Sequence, residues 1–470
     1  MKSTVDSYSP QVVYSPDSPP ATYIGKTFAR TDGIAKVTGA ARYTGDLIPR
    51  GLLHARLVVS PHAHARIVDI DRSAAEQVPG VVRVLLAEDL NIAPSAVGQR
   101  KRDPLARDRV LYHGHPVAVV VATSEMAAEE AAGLVAVEYE PLPAVADPVE
   151  ALRPDAPVVR NDIVEDEEAR IHGAAASDSA GESTHPNLSS TVRYSLGDVE
   201  AGFAEAEVVV ERTYRTQWIH QSYLEPQVAI AEWDRPDHVT VWASTQALFF
   251  TRGEIAAALG IGRHQVTVVP MPVGGAFGGK FVLVEPLTAA VARVVGRPVR
   301  LVYRRMDEFV TANPTPASTI SLRLGATRDG CITALSSQII FDTGSSPSSA
   351  AKIAPTLIGG QYRIPNLEVV SQEVLTNKAG GGSYRAPGAV QVYFAVESAI
   401  DELAREIGID PLTLRILNAA EEGDLRVTNV PWPRIGLKEC LERLQQHPLW
   451  VDRDRLGRGA RDGRGRAHGI

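Results

Sequence analysis

Between a β-branched run at residues 266–269 and an amphipathic helical pattern lies the segment Gly274-Gly275-Ala276-Phe277-Gly278-Gly279-Lys280. Val284, Leu287, Val291 and Val294 recur at i, i+3, i+7 and i+10, and Gly296 closes the pattern. A strand that feeds a helix through such a turn implies an α/β architecture. Four glycines let the backbone approach a ligand closely, and the helix that follows presents unpaired N–H groups. An oxyanion is the natural partner; the plain alternative is a structural corner that holds nothing. The first seven positions also fit the phosphate loop GxxxxGK. The eighth should be a hydroxyl side chain for magnesium and is Phe281, which cannot ligate a metal. No GxGxxG occurs, so a Rossmann dinucleotide site has no support.

The chain has 470 residues, too many for one hydrophobic core, so several domains are expected. A net charge of −8 argues against nonspecific nucleic-acid binding, which needs an excess of Lys and Arg. No run approaches the roughly 18 consecutive apolar residues of a membrane span. Residues 1–24 have neither the apolar core nor the Arg pair of an export signal, and their Ser and Pro content reads as a disordered arm. Cys331 and Cys440 stand far apart, which is cytoplasmic usage and no disulfide framework. Two cysteines cannot ligate an iron–sulfur cluster, which normally takes four, so any such cluster sits on another chain.

Residues 25–148 read as a small α/β domain, with strand signals at 52–70, 81–86, 117–122 and 134–139. Ser124 caps a short Ala-rich helix closed by Gly133. The stretch 149–190, acidic and then Ala/Ser/Gly-rich, lacks periodicity and reads as a linker. A larger α/β domain spans 191–425, with strands at 208–210, 228–233, 239–243, 266–269 and 299–303. Residues 251–259 form a helix that stops at Gly260; Val396, Ile400, Leu403 and Ile407 mark another that stops at Gly408. Asp410 and Pro411 begin a further helix as N-cap and first residue. Residues 426–470 start one more element, and its Arg- and Gly-rich end reads as a linker rather than an RNA-binding tail.

His62 with His64, and His113 with His115, form HxH pairs, but two ligands do not complete a zinc site and no metal site is expected. Glu138 and Glu140 alternate along a strand and read as a solvated face. Asp307 and Glu308 follow Arg304 and Arg305 and read as surface ion pairs.

Several segments, in order, resemble the large subunit of the molybdenum hydroxylases, the xanthine dehydrogenase and aldehyde oxidase family. RTDGIAKVTGAARYTGDL with SPHAHARI is similar to the hammerhead-like N-terminal domain. STQALFFTR, PVGGAFGGK and GRPVRLVYRRMDEF are similar to the first molybdopterin-binding domain. GGGSYRAPGAVQ with AVESAIDELAREIGIDPLTLRILN resembles the arginine loop and the helices after it. The likeness runs from residue 25 to residue 470. It implies an α/β (α+β) fold: a hammerhead-like domain, then a larger molybdopterin-binding domain, with the C-terminal molybdopterin domain missing.

The resemblance also implies a site. Gln246 matches the glutamine that hydrogen-bonds an oxo ligand of molybdenum, where an amide N–H polarises without ligating. Gly275, Ala276, Phe277 and Gly278 match the turn whose backbone contacts the pterin and its oxo group. Arg385 matches an arginine beside cofactor and substrate, where a guanidinium stabilises developing negative charge. Gln246 and Arg385 are thus the catalytic candidates, and Phe281 and Glu225 are candidates for the substrate pocket. No protein metal ligand is implied, because the pterin dithiolene holds the metal. The implied cofactor is molybdopterin with molybdenum, in the cytosine dinucleotide form of bacterial three-subunit members. The implied partners are an iron–sulfur small subunit with 2Fe–2S clusters and a medium subunit with FAD. The implied reaction hydroxylates an aldehyde or N-heterocycle with water as the oxygen source, in the cytoplasm.

Departures from the family pattern shape this expectation. The base glutamate of the family lies in a segment beyond residue 470. The chain is therefore expected to be inactive without a separate C-terminal half, or else to be a truncated scaffold that docks partner subunits without turnover. Position 281 is Phe where purine-hydroxylating members carry a glutamate, which counts against xanthine. Ala386 stands where carbon monoxide dehydrogenases carry a copper-binding Cys.

Overall fold

The computed structural model describes residues 26–90, 92, 104–160 and 185–453. The predicted arm, residues 161–184 of the predicted linker and the Arg-rich end from 454 onward lie outside the described residues. The chain divides into two units, residues 1–42 and 43–470. In the first, the described residues carry one short helix, Gly33–Val37, with Asp32 paired to Arg30 and Lys36.

Among the described residues, fifteen strands build the second unit. The first five are β1 Leu53–Val59, β2 Ala65–Asp71, β3 Val81–Leu85, β4 Arg109–Val110 and β5 Pro116–Ala122. They are followed by β6 Ala136–Pro141, β7 Leu188–Leu196, β8 Val208–Thr216, β9 Val228–Arg235 and β10 His238–Ala243. The last are β11 Val266–Pro270, β12 Val299–Val302, β13 Ala317–Ala326, β14 Ile332–Gly344 and β15 Asn366–Leu375. The helices that matter below are α1 Glu125–Ala132, α2 Leu248–Leu259, α3 Glu285–Val295, α4 Arg305–Val310, α5 Ala350–Leu357, α6 Ala389–Ile407 and α7 Pro411–Asn418.

The strand expected over 52–70 is two strands. Pro61 has no N–H to give a ladder, and Ser60 Oγ accepts from His62 N at 3.0 Å, which turns the chain. As a result β1 enters a seven-stranded sheet, in the order β11-β10-β9-β12-β1-β5-β3, whereas β2 lies between β4 and β6 in a three-stranded one. The apolar run of β5 is buried along its whole length, as befits a strand covered on both faces. The seven-stranded sheet ignores the linker of the sequence reading. Leu53, His54 and Ala55 of β1 pair in parallel with Val299, Arg300 and Leu301 of β12, so the early and late segments share one sheet. Its core, which includes Ala229, Val241, Leu287, Val291 and Leu301, is covered by α2 and α3.

A five-stranded sheet, β7-β15-β14-β13-β8, forms the other half. Sequence periodicity picked out only the start of β8 there. α5 and α6 cover it, with Phe341, Val369, Val396, Ile400 and Leu403 in the core. The predicted helix stops hold: Gly260, Gly296 and Gly408 each sit in the left-handed conformation that ends a helix without a Cβ clash. Asp410 accepts from Leu412 N and Thr413 N, capping α7 as expected.

Candidate cofactor site

β10 and β11 run parallel and adjacent, joined through α2. Gln246 follows the carboxyl end of β10, and the glycine turn follows that of β11. In open α/β sheets this end of the strands is where ligands bind. The loop that carries Arg385 leads into α6 on the other sheet. The tertiary structure thus brings three separated segments into direct contact. Gly278 N donates to Gln246 Oε1 at 3.0 Å, Gln246 N donates to Lys280 O at 2.9 Å, and Arg385 N donates to Phe277 O at 2.8 Å.

Gly278 has φ +105°, and a Cβ there would stand 2.5 Å from Ser383 O, so only glycine permits this junction of the turn with the Arg385 loop. Phe277 has φ 51°, Ala386 φ 69° and Ser222 φ 58°; these are three of the four non-glycine residues at positive φ among those described. Their concentration on the loops of one site is strain of the kind that functional sites retain.

The turn leaves the N–H groups of Gly275, Ala276 and Phe277 without a hydrogen-bond partner among the described residues. Three successive free donors in a concave turn form a nest for an anion. Because a backbone N–H can only donate, Gly278 fixes the Gln246 oxygen inward and leaves its amide Nε2 as a free donor. The Arg385 guanidinium is exposed and makes no side-chain hydrogen bond among the described residues. Free donors and a free cation therefore sit on segments that the fold joins directly, which suits an anionic group and its developing charge.

Other candidates are placed differently. Phe281 is half-buried, its ring edge-on to Phe250 at 6.0 Å, and its carbonyl accepts from Thr245 Oγ1 and Thr251 Oγ1, each at 3.0 Å. Glu225 lies behind the turn: its Oε2 accepts from Gly274 N and from Lys280 Nζ, both at 2.8 Å. The Lys280 side chain is 0% exposed, so it cannot reach a nucleotide phosphate, and the GxxxxGK match is a coincidence of spelling. Asp307 does pair with Arg304, at 2.8 Å, as expected, but neither it nor Glu308 is at the surface. Asp307 is buried, accepting from Arg304 N at 2.8 Å in a capping box that starts α4. Glu308 is fully buried, accepting from Tyr223 Oη at 2.5 Å and from Gln227 N. Burial first, then the charge of Glu308, holds the Tyr223 hydroxyl far above the usual phenol range.

Sequence reasoning missed Tyr223, Gln227 and Lys280 as parts of the site's foundation. Gln227 Nε2 donates to Gly279 O at 2.8 Å and to Tyr223 Oη at 3.0 Å. The one local signal was the density of polar residues in the Gln221–Gln227 stretch. His64 is buried against Pro143 O at 2.7 Å and His113 meets Pro61 O at 3.1 Å, as ordinary loop histidines do. Glu138 and Glu140 are exposed, and Glu140 pairs with Arg66.

Comparison with known proteins identifies the family. The family described as "Molybdopterin cofactor-binding domain" matches residues 181–419. The one described as "Aldehyde oxidase and xanthine dehydrogenase, a/b hammerhead domain" matches residues 38–143. The xanthine dehydrogenase molybdenum-binding subunit of Escherichia coli O157:H7 is 34% identical over 443 residues, covering 90% of this chain and 56% of that one. The nicotinate dehydrogenase large molybdopterin subunit of Eubacterium barkeri is 29% identical, covering 91% of this chain and 97% of that one. Among solved structures, aldehyde oxidoreductase from Desulfovibrio gigas superposes with a TM-score of 0.81 at 28% identity, covering 92% of this chain and 47% of that one. The chain thus spans about half the length of most of these relatives, and nearly all of the Eubacterium subunit. With both domain families matched in order, the molybdopterin-binding one over half of the chain, the chain belongs to the molybdenum hydroxylase large-subunit family of xanthine dehydrogenase and aldehyde oxidase.

Proposed function

We propose that this chain is the molybdopterin-binding subunit of a molybdenum hydroxylase that oxidises an aldehyde or an N-heterocycle, water supplying the oxygen. The observation that carries the reading is that backbone hydrogen bonds join the turn, with its three free N–H groups, to both the Gln246 segment and the Arg385 loop. These residues fit a pterin cofactor: Gly275, Ala276 and Phe277 would hold it by backbone donors, with Gln246 and Arg385 beside its metal. When bound, the cofactor supplies the two-electron redox chemistry. The chain's own residues bind and orient it, and Arg385 offsets negative charge developing on the substrate. In our reading Gly278 serves through its fold rather than its N–H, which Gln246 occupies. Phe281 forms an apolar wall beside Phe250, and Ala386 offers no thiol, which supports neither a purine nor carbon monoxide as substrate.

The reading includes the cytosine dinucleotide form of the cofactor, and electron transfer to iron–sulfur and FAD subunits in the cytoplasm. No helix among the described residues is long and apolar enough to cross a membrane. The likeness to a nicotinate dehydrogenase large molybdopterin subunit supports a chain that works with partner subunits. The test is to produce the chain with the products of neighbouring genes in a host that makes the cofactor, then measure molybdenum by mass spectrometry. Stoichiometric metal is expected; metal-free protein would overturn the proposal.

A further inference from the structure

Behind the cradle lies a buried polar layer with no contact to the open face of the turn. Glu225 is its hinge. One oxygen, Oε2, receives Gly274 N at the first residue of the turn and Lys280 Nζ at the last, both at 2.8 Å. Glu225 N in turn donates to Gly274 O at 3.1 Å, so Gly274 is clamped from both sides. The approach is close enough that a Cβ on Gly274 would stand 2.5 Å from Glu225 Cβ. Lys280 sits over the Tyr223 ring at 4.9 Å, and Gln227 holds Gly279 O from the same side.

Stability alone is a poor explanation for this arrangement. Lys280 is buried, and burial holds its amine below the usual lysine range against the opposing pull of Glu225. The second Glu225 oxygen, Oε1, is buried with no hydrogen-bond partner. A desolvated ion pair with an orphan oxygen is weak as a stabiliser, since an apolar pair of similar volume does as well or better. What it does achieve is conformational: both ends of the turn are tied to one atom. Between the ties, Gly275, Ala276 and Phe277 keep their N–H groups free. A binding loop ordered in advance loses less entropy when its ligand binds.

We propose that Glu225 is a positioning residue for the cofactor cradle, holding the turn open through Gly274 and Lys280 rather than touching substrate. This rests on the reading that the turn holds an anionic pterin cofactor. It assigns Glu225 a different task from the substrate-pocket role implied by resemblance.

The test uses the chain co-produced with its neighbouring subunits, with molybdenum and pterin content, the rate of cofactor loss on incubation, and the melting temperature of the cofactor-free form as readouts. Glu225→Asp keeps both charges but shortens the reach by one methylene. It is expected to lower cofactor content, and raise its loss rate, by about tenfold, while the cofactor-free melting temperature stays near that of the parent. The double variant E225Q/K280M keeps an acceptor for Gly274 N–H but removes both charges and the tie at the last residue of the turn, and is expected to lower cofactor content as E225D does. Parent-like cofactor content in E225D or in E225Q/K280M would overturn the proposal. Insoluble E225D, or a fall in its melting temperature that accounts for the cofactor loss, would make the pair a general stabiliser and overturn the proposal equally. A metal-free parent would instead remove the functional reading, and this inference with it.

Discussion

The interior of the seven-stranded sheet is Leu, Val, Ile and Ala, and among its described strands no polar side chain is fully buried. In the five-stranded sheet the interior is shared: Ser318, Ser337, Asp342, Ser371 and Glu373 are buried beside Ile320, Leu335 and Val369. Each of those polar groups is satisfied from elsewhere in the chain. Asp342 accepts from Thr376 Oγ1 at 2.5 Å and pairs with Lys378, while Glu373 accepts from Ser189 Oγ at 2.8 Å and Ser190 Oγ at 3.1 Å. The first sheet carries Gln246 and the glycine turn, and the second leads into the Arg385 loop. An apolar core tolerates no solvent but asks nothing of distant partners; a mixed core is held by specific hydrogen bonds that only the finished fold supplies.

Four measurements break or sharpen this contrast. Leu301→Ala empties space in the apolar sheet, where Leu301 is 1% exposed, and should cost about 2–5 kcal/mol of unfolding free energy in denaturant titration. A loss under 1 kcal/mol would mean that the first sheet is not held by its core. Gly278→Ala strikes the joint between the sheets rather than either interior. It should lower cofactor-dependent turnover by about 100-fold, because the turn cannot meet Ser383 without shifting. Asp342→Asn keeps hydrogen-bonding shape while removing a buried charge. We expect a loss of about 2 kcal/mol, less than for a fully buried pair because Lys378 is a third exposed and can turn to water. A larger loss than for Leu301→Ala would reverse the ranking of the two sheets.

The smallest effect tests the seam where β1 joins β12. Burial, then the Arg300 charge, holds the His54 imidazole below the usual histidine range, with Glu125 opposing. Its folded value is depressed, so the associated stability is fully present above about pH 6.5 and is lost as pH falls through the folded value. Thermal melts between about pH 7 and about pH 5 should therefore show a shallower acid decline in His54→Gln than in the parent. Parallel slopes would dismiss His54 as a contributor.

The strands β5, β9, β10, β11 and β12 were legible because each is a short apolar run bounded by turn residues, and the stops at Gly260, Gly296 and Gly408 because a left-handed C-cap favours glycine. β13, β14 and β15 were not, because Ser, Thr, Gln and Asp dilute their local signal. Glu308 read as a surface charge for the same reason: in Arg-Arg-Met-Asp-Glu-Phe nothing shows that Tyr223 and Gln227 await it some 80 residues earlier.

By itself the sequence determined that a strand, a turn dense in glycine and a helix would present backbone donors, which is a property of residue type and order; Gln246 and Arg385 were joined to them by the resemblance of their segments to a known family. Only the tertiary structure decided which donors stay free. Gly278 N goes to Gln246 and Lys280 turns inward to Glu225, leaving Gly275, Ala276 and Phe277 open. The physical reason is that a hydrogen bond or ion pair is a contest among all groups within reach, and reach is set by the fold.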